Sequence, residues 1–237
     1  AVIHMPTANY INYAYGMANG LPLTDPESGF DPTHPFKDRD PRFYHDIMFD
    51  GFKFINNDPS KDDAIYQYLP LQSANGTDPD SEKMRDANNG SRTGYFCQKL
   101  VPHQCNKYDG MYNWGGALQC NLPYMRLADI YLMYAEAGAA VQGANYKSSK
   151  LNLTAADAIN VLRDRVDAGH VADKFMNDQK KFMDEVRRER AVELAFEGFR
   201  WNDLQRWLLL TEYPYNIKTS QEFKRVGNFD YTKNDPR

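Results

Sequence analysis

The chain has 237 residues, of which 42% are hydrophobic and 25% are charged, and its formal net charge is −4. This composition is typical of a globular protein with a substantial core and one or two domains. The negative charge argues against a nucleic-acid-binding protein, which normally carries a basic face. The longest apolar run, 127–141, contains Asp129 and Glu136, so it is not a membrane-spanning helix.

Residues 1–120 form a first region that is rich in proline, glycine, asparagine and aspartate. Asp-Pro steps begin at positions 25, 31, 40, 58 and 78. A residue that precedes proline disfavours the helical conformation, so these steps mark turns. The region is therefore predicted to consist of long ordered loops with short strands and a few helical turns.

The most conspicuous binding candidate in this region is the aromatic stretch 108–116. Tyr108, Tyr112 and Trp114 are flanked by glycines, so their rings could be presented on a turn. Aromatic faces stack on pyranose rings, and the neighbouring Asp109 and Asn113 could bind hydroxyl groups. The alternative is that Trp114 only anchors the loop against the helices.

The cysteines and acidic turns give no clear metal or cofactor signal. Cys97, Cys105 and Cys120 lack the spacing of a zinc site. The sequence allows a disulfide between Cys105 and either Cys97 or Cys120, and it equally allows three isolated thiols. The acidic turns at 56–58 and 78–82 lack the register of an EF-hand, so we expect neither a metal nor a cofactor.

A second region, 121–237, shows helical periodicity. The pattern predicts a first helix over 122–142 and a second over 155–167. Thr154 is the expected N-cap of the second helix, and Asp157 completes a capping box. The pair resembles a tetratricopeptide-type hairpin, in which small side chains allow close approach; these are Ala135, Ala137, Ala139 and Ala140.

A third helix is predicted from Asn177 or Asp178 towards Leu210, and its second half combines acids, arginines and aromatics at helical spacing. Buried carboxylates are costly unless they are paired. We interpret the pattern as a structural ion network of Glu189, Arg190, Glu193, Glu197, Arg200, Asp203 and Arg206. The alternative is a catalytic carboxylate pair like that of a glycoside hydrolase. A general acid needs a raised pKa, however, and the nearby arginines should lower the pKa of these carboxylates.

The segment 189–207, which reads ERAVELAFEGFRWNDLQRW, resembles the signature of the SusD/RagB family. Three further segments match that family in its order. They are 21–44, which ends in RDPRFY; 91–100, which contains TGYF; and 122–137, which contains RLAD and YAEA. Four ordered segments make this a specific resemblance.

The resemblance implies a mainly α fold with long ordered loops, few short strands and a tetratricopeptide-type helical scaffold. It also implies that these residues are the C-terminal portion of a longer chain whose N-terminal half is absent. Residues 1–120 would be the ligand-facing part of one SusD-like domain, and 121–237 would be its helical, transporter-facing part.

The resemblance implies a protein that captures a nutrient and does not catalyse a reaction. SusD-like proteins are surface-exposed outer-membrane lipoproteins of Bacteroidota-like bacteria that deliver oligosaccharides to a SusC-like TonB-dependent transporter. Here the lipid anchor would lie outside this chain. A RagB-like peptide-uptake protein, a glycoside hydrolase and a purely structural surface-layer protein are the alternatives.

Overall fold

A computed structural model describes residues 5–50, 52–55, 66–68, 93–100 and 123–221 of the chain. For the strand residues within 53–55 and 66–68 it describes the backbone only.

The contacts divide the chain into two units. The first comprises Ala1–Ala8, Ile47–Pro123 and Thr219–Arg237, and the second comprises Asn9–Asp46 and Tyr124–Lys218. The second unit therefore draws on both of the regions that the sequence distinguishes. Each unit is described separately below.

The described part of the first unit contains two short antiparallel pairs. Strand β1, Ile47–Met48, pairs with β4, Phe96–Cys97, and β2, Lys53–Ile55, pairs with β3, Tyr66–Tyr68. Beside β4, the amide of Gln221 donates to the carbonyl of Thr93 at 2.8 Å. Strands this short agree with the loop-rich composition of residues 1–120.

The described helices belong mainly to the second unit, which confirms the predicted mainly α class. In chain order they are α1, Ala8–Ala14; α2, Pro41–Asp46; α3, Leu127–Val141; α4, Ala155–Asp164; α5, Asp173–Met176; α6, Gln179–Glu193; and α7, Arg200–Arg206.

Helix α3 starts at Leu127, whereas the sequence predicted a start at 122. Its N-cap residue, Arg126, is extended, with φ −137° and ψ 162°. This conformation lets the Arg126 side chain reach one glutamate at the end of α6 and another after it, as described below, and no local pattern encodes that contact. Pro123 lies before the helix.

Two predicted helix starts are confirmed. The hydroxyl of Thr154 accepts from the amide of Asp157, and the Asp157 carboxylate accepts from the amide of Thr154, so the capping box is complete. At the start of α6, the Asp178 carboxylate accepts from the amides of Lys180 and Lys181. Each cap satisfies backbone N–H groups that have no partner inside the helix.

The prediction that one long third helix continues towards Leu210 is wrong, because the chain turns after α6. Phe196 has φ 62° and Gly198 has φ 90°, both in the left-handed region. Glycine reaches that region without strain, so Gly198 allows the turn that separates α6 from α7. The predicted second helix also stops early, at Asp164 instead of 167.

Helices α3, α4 and α6 share one core of small and aromatic side chains. Ala135 and Ala139 of α3 are fully buried there, whereas Ala137 and Ala140 are exposed. The prediction that all four alanines serve the close approach is therefore wrong for half of them. Gly138 allows the ring of Tyr146 to pack against α3, because a Cβ at position 138 would lie only 2.7 Å from that ring.

The substitution Thr154→Ala should lower the free energy of unfolding by about 1 kcal/mol, because it removes half of the capping box at α4. Urea denaturation followed by circular dichroism would measure the change. Ser149→Ala, at an exposed position in the preceding loop, is the control and should stay within about 0.5 kcal/mol of the parent protein. Equal effects of the two substitutions would contradict the capping role.

Candidate functional site

The most distinctive feature of the second unit is a buried network of arginines and carboxylates, with Glu189 of α6 at its centre. One carboxylate oxygen of Glu189 accepts from Arg42 of α2 at 2.5 Å, and the other accepts from Arg163 of α4 at 2.9 Å. The Glu189 side chain is 2% exposed. Arg42 also forms a two-point ion pair with Asp40, at 2.8 and 3.0 Å. The carboxylate of Glu189 therefore joins three segments of the chain.

One helical turn further along, Glu193 is shared by three arginines. Arg42 donates to it at 3.0 Å, Arg126 at 2.6 Å and Arg165 at 2.7 Å. Arg126 continues to Glu197, which it binds through two nitrogens at 2.8 Å each, and also donates to the backbone carbonyl of Glu193. Arg126 thus holds the end of α6 and the turn that follows it.

A second branch connects α3, α6 and α7. Arg190 donates to Asp129 at 2.8 Å and to both oxygens of Asp203, at 3.0 and 3.2 Å. Arg206 also binds Asp203, and it forms a two-point contact with Glu136 of α3. These pairs attach the short helix α7 to its neighbours.

A third branch lies where the turn at Gly20 packs against the chain at Gly169. Arg163 and Arg188 share the carboxylate of Glu185, and Arg188 also donates to the carbonyl of Gly20 at 2.6 Å. Gly20 has φ 84°, and a Cβ on it would lie 2.3 Å from the carbonyl oxygen of Gly169. The two turns pack backbone to backbone, so a side chain at position 20 would disrupt the contact.

Three of the four family-like segments meet in this network. Segment 21–44 contributes Asp40 and Arg42, segment 122–137 contributes Arg126, Asp129 and Glu136, and segment 189–207 contributes its glutamates, Arg190 and Asp203. The remaining segment, 91–100, belongs to the first unit. The residues that carry the resemblance in the second unit are therefore largely residues that hold its fold together.

The network is unsuited to general acid catalysis. Burial alone would raise the pKa of Glu189, but the positive charges of Arg42 and Arg163 and their hydrogen bonds outweigh it and lower the pKa to about 2. The pKa of Glu185 is lowered in the same way by Arg188 and Arg163, against the effect of burial. A general acid needs a raised pKa, and a nucleophilic carboxylate must be open to its substrate. These carboxylates are buried and occupied by arginines.

Arg200 is held differently from the other residues assigned to the ion network. Its guanidinium lies 5.2 Å from the ring centre of Tyr13, 5.3 Å from Tyr215 and 5.8 Å from Trp207. Its buried Nε and Nη1 atoms have no hydrogen-bond acceptor among the described residues. The faces of aromatic rings stabilise a guanidinium electrostatically, so the three rings replace a carboxylate partner.

A family comparison identifies the chain, since a model of the SusD family matches residues 3–237. The chain belongs to the SusD family. A search of curated proteins found no match. The SusD assignment also confirms the fold that the four segments implied, a helical tetratricopeptide-like scaffold.

Solved structures of SusD-like proteins share this fold. One, from Bacteroides fragilis, is 28% identical with a TM-score of 0.64, and the match covers 88% of this chain and 37% of that one. A second, a SusD-like carbohydrate-binding protein from the same species, is 24% identical with a TM-score of 0.58, and the match covers 87% of this chain and 36% of that one. The chain therefore spans less than two fifths of the length of these relatives.

Several predicted features lie outside the described residues. These are the aromatic candidates Tyr108, Asp109, Tyr112, Asn113 and Trp114, the thiols of Cys105 and Cys120, and the acidic turns. Within the described ranges, no group of histidine, cysteine and acidic side chains could hold a metal ion, and no helix is long and apolar enough to cross a membrane. Cys97 donates to the carbonyl of Lys99 at 3.5 Å.

Sequence reasoning missed more than half of the ion network. It named the acids and arginines of one segment but not the partners Arg42, Arg126, Arg163 and Arg165. Arg42 and Arg126 stand in segments already singled out for their resemblance, so a signal for them was present. Nothing comparable marks Arg163 or Arg165, which lie in an ordinary charged helix end.

The substitution Glu189→Gln should lower the free energy of unfolding at pH 7 by about 3 kcal/mol, because it leaves two buried guanidiniums short of negative charge. The carboxyl pKa is about 2 in the folded protein against an ordinary value of 4.5. Its contribution is therefore complete above roughly pH 5 and is lost as the pH falls towards 2. Urea denaturation between pH 2 and pH 7 should give a flatter acid limb for the variant.

The control for this pH profile is Glu212→Gln, at an exposed position, which should leave the acid limb unchanged. Parallel profiles for Glu189→Gln and the parent protein would show that Glu189 does not couple protonation to folding.

The substitution Arg200→Lys should cost about 1 kcal/mol, because lysine keeps the charge but loses the flat surface that stacks on Tyr13 and Tyr215. A double-mutant cycle with Tyr215→Leu, measured by urea denaturation, would report the coupling between cation and ring. A coupling energy near zero would show that the contact between Arg200 and Tyr215 contributes nothing to stability.

Proposed function

We propose that this protein is a surface glycan-binding protein that captures oligosaccharides and delivers them to a SusC-like TonB-dependent transporter in the outer membrane. The observation that carries the proposal is the SusD family match over residues 3–237. The likeness to a SusD-like carbohydrate-binding protein supports the choice of ligand. The protein would act from the cell surface as a lipoprotein whose anchor lies outside these residues.

We propose binding rather than catalysis as the activity. The carboxylates that the sequence offers as a catalytic pair are engaged by arginines, and the pKa of Glu189 is lowered to about 2. Their ion pairs hold helices of the second unit together, which is a structural role and not a catalytic one.

The proposed contacts with glycan are the rings of Tyr108, Tyr112 and Trp114, supported by Asp109 and Asn113. Stacking on a pyranose face needs an aromatic plane, and orientation needs a few polar groups that bind hydroxyls. Both are present within seven consecutive residues of the sequence. A spacing this short would let these side chains contribute to the same subsite.

The substitution Trp114→Ala should weaken glycan binding by roughly 30-fold, the effect of about 2 kcal/mol lost at a central aromatic contact. The probes are starch, xylan, inulin and mucin oligosaccharides, screened by affinity electrophoresis and followed by calorimetry on any that bind. Trp201→Ala is the matched control. It removes an indole that is 63% exposed on α7 and should leave the affinity unchanged.

Three outcomes would contradict the proposal. Binding of peptides but of none of these glycans would favour a RagB-like peptide-uptake protein. Release of reducing sugar from an intact glycan would indicate a hydrolase. Failure to co-purify with a TonB-dependent transporter from native membranes would contradict delivery, even if glycans bind.

A further inference from the structure

Two arginines of the second unit carry buried N–H groups that have no hydrogen-bond acceptor. In the part of the chain that the structure describes, the buried side-chain polar atoms without a partner are Arg187 Nε, Arg200 Nε, Arg200 Nη1 and Gln98 Oε1. Three of these four atoms are therefore guanidinium donors, and they belong to only two side chains. Nearly all buried polar groups in proteins have a partner, so this concentration needs a physical explanation.

The two guanidiniums lie against the same aromatic residues. The guanidinium carbon of Arg187, on α6, lies 5.5 Å from the ring centre of Trp207, and that of Arg200, on α7, lies 5.8 Å from it. Burial raises the pKa of Tyr215, and the positive charges of Arg200 and Arg187 both oppose that rise. The three donors thus belong to one cluster, which is called the arginine pair below.

The surrounding rings do not satisfy these donors. A guanidinium stacks on an aromatic ring through its flat face, whereas its N–H bonds point outward in the plane of the group. The rings of Tyr13, Tyr215 and Trp207 therefore stabilise the charge of Arg200 without accepting hydrogen bonds from its Nε and Nη1. These atoms still require acceptors that lie in the guanidinium plane.

The carboxylate beside the arginine pair balances only one of its two charges. Asp184 accepts from Nη1 of Arg187 at 3.1 Å, and the Asp184 side chain is 53% exposed. The third arginine over Trp207, Arg206, is already bound by carboxylates of α3 and α7. Among the described residues, Arg200 forms no salt bridge. The pair therefore keeps one uncompensated positive charge.

We propose that the arginine pair binds an oxyanion, which is a carboxylate, sulfate or phosphate group. Three donors on two cations are best matched by an acceptor that has several oxygen atoms and a negative charge. Guanidinium groups are well suited to such ligands, because their planar donors match the oxygens of carboxylates and phosphates. The Arg187 side chain is 24% exposed, so a shift of this side chain gives the anion access from the surface.

This inference goes beyond glycan capture and does not rest on it. The oxyanion is either a free inorganic ion or the acidic group of a sugar, such as a uronic acid. Both present the same oxygens to the arginine pair, so the chemistry of the site is common to them. The aromatic candidates within 108–116 take no part in it.

Fluorine NMR of the intact protein labelled with fluorotryptophan tests the proposal, since Trp207 lies beside both guanidiniums. Sulfate, phosphate and glucuronate would be titrated at constant ionic strength set by chloride, with glucose as the neutral control. We expect a saturable shift of the Trp207 signal, assigned with Trp207→Phe, for at least one oxyanion and none for glucose. No saturable shift with any of the three oxyanions would overturn the proposal.

The same titrations identify the source of the anion. Tighter binding of glucuronate than of sulfate and phosphate would indicate an acidic sugar, and any other order would indicate a free inorganic ion. The signal of Trp114 reports the proposed glycan contacts separately. A failure of glycans to shift that signal would therefore count against glycan capture and not against the oxyanion site.

A pair of variants shows whether the arginines themselves hold the anion. Arg187→Gln should weaken binding about tenfold, because it removes one of the two cations. Lys180→Gln, at an exposed position of the same helix, removes the same charge and should leave the Kd unchanged. Circular dichroism would establish that both variants are folded. Equal affinities of folded Arg187→Gln and the parent protein would overturn the proposal.

Discussion

The second unit depends on the placement of buried negative charge along α6. Glu189 and Glu193 are withdrawn from water, and a carboxylate in that position is tolerated only when cations surround it. Arg42, Arg126 and Arg163 provide them from three distant parts of the chain. Because each arginine is itself too costly to bury alone, the segments that carry them are stable only when they assemble together.

This arrangement explains why the strongest motifs of the chain say little about its ligand. Three of the four segments that resemble the SusD family contribute arginines and acids to the interior of the second unit, where they determine how helices and turns meet. Binding loops can vary on such a frame without disturbing it. The family signature in the second unit is thus chiefly a signature of folding.

Two surfaces of α3 show how the same helix serves different purposes. Ala135 and Ala139 close the inner contact with α4 and α6, while the outer side offers an apolar stripe of similar character. A helix with two apolar faces is suited to the middle of a stack rather than to its edge.

Local chemistry alone determined the helical class of the second region and the caps at Thr154 and Asp178, because those interactions join residues three positions apart or fewer. The spacing of acids, arginines and aromatics also predicted that the segment 189–207 buries charge. Tertiary structure decided which partners meet it: Arg42 lies 147 positions from Glu189, and Arg126 lies 67 positions from Glu193. Local periodicity cannot report such contacts, because the energy that selects them exists only once the distant segments have come together.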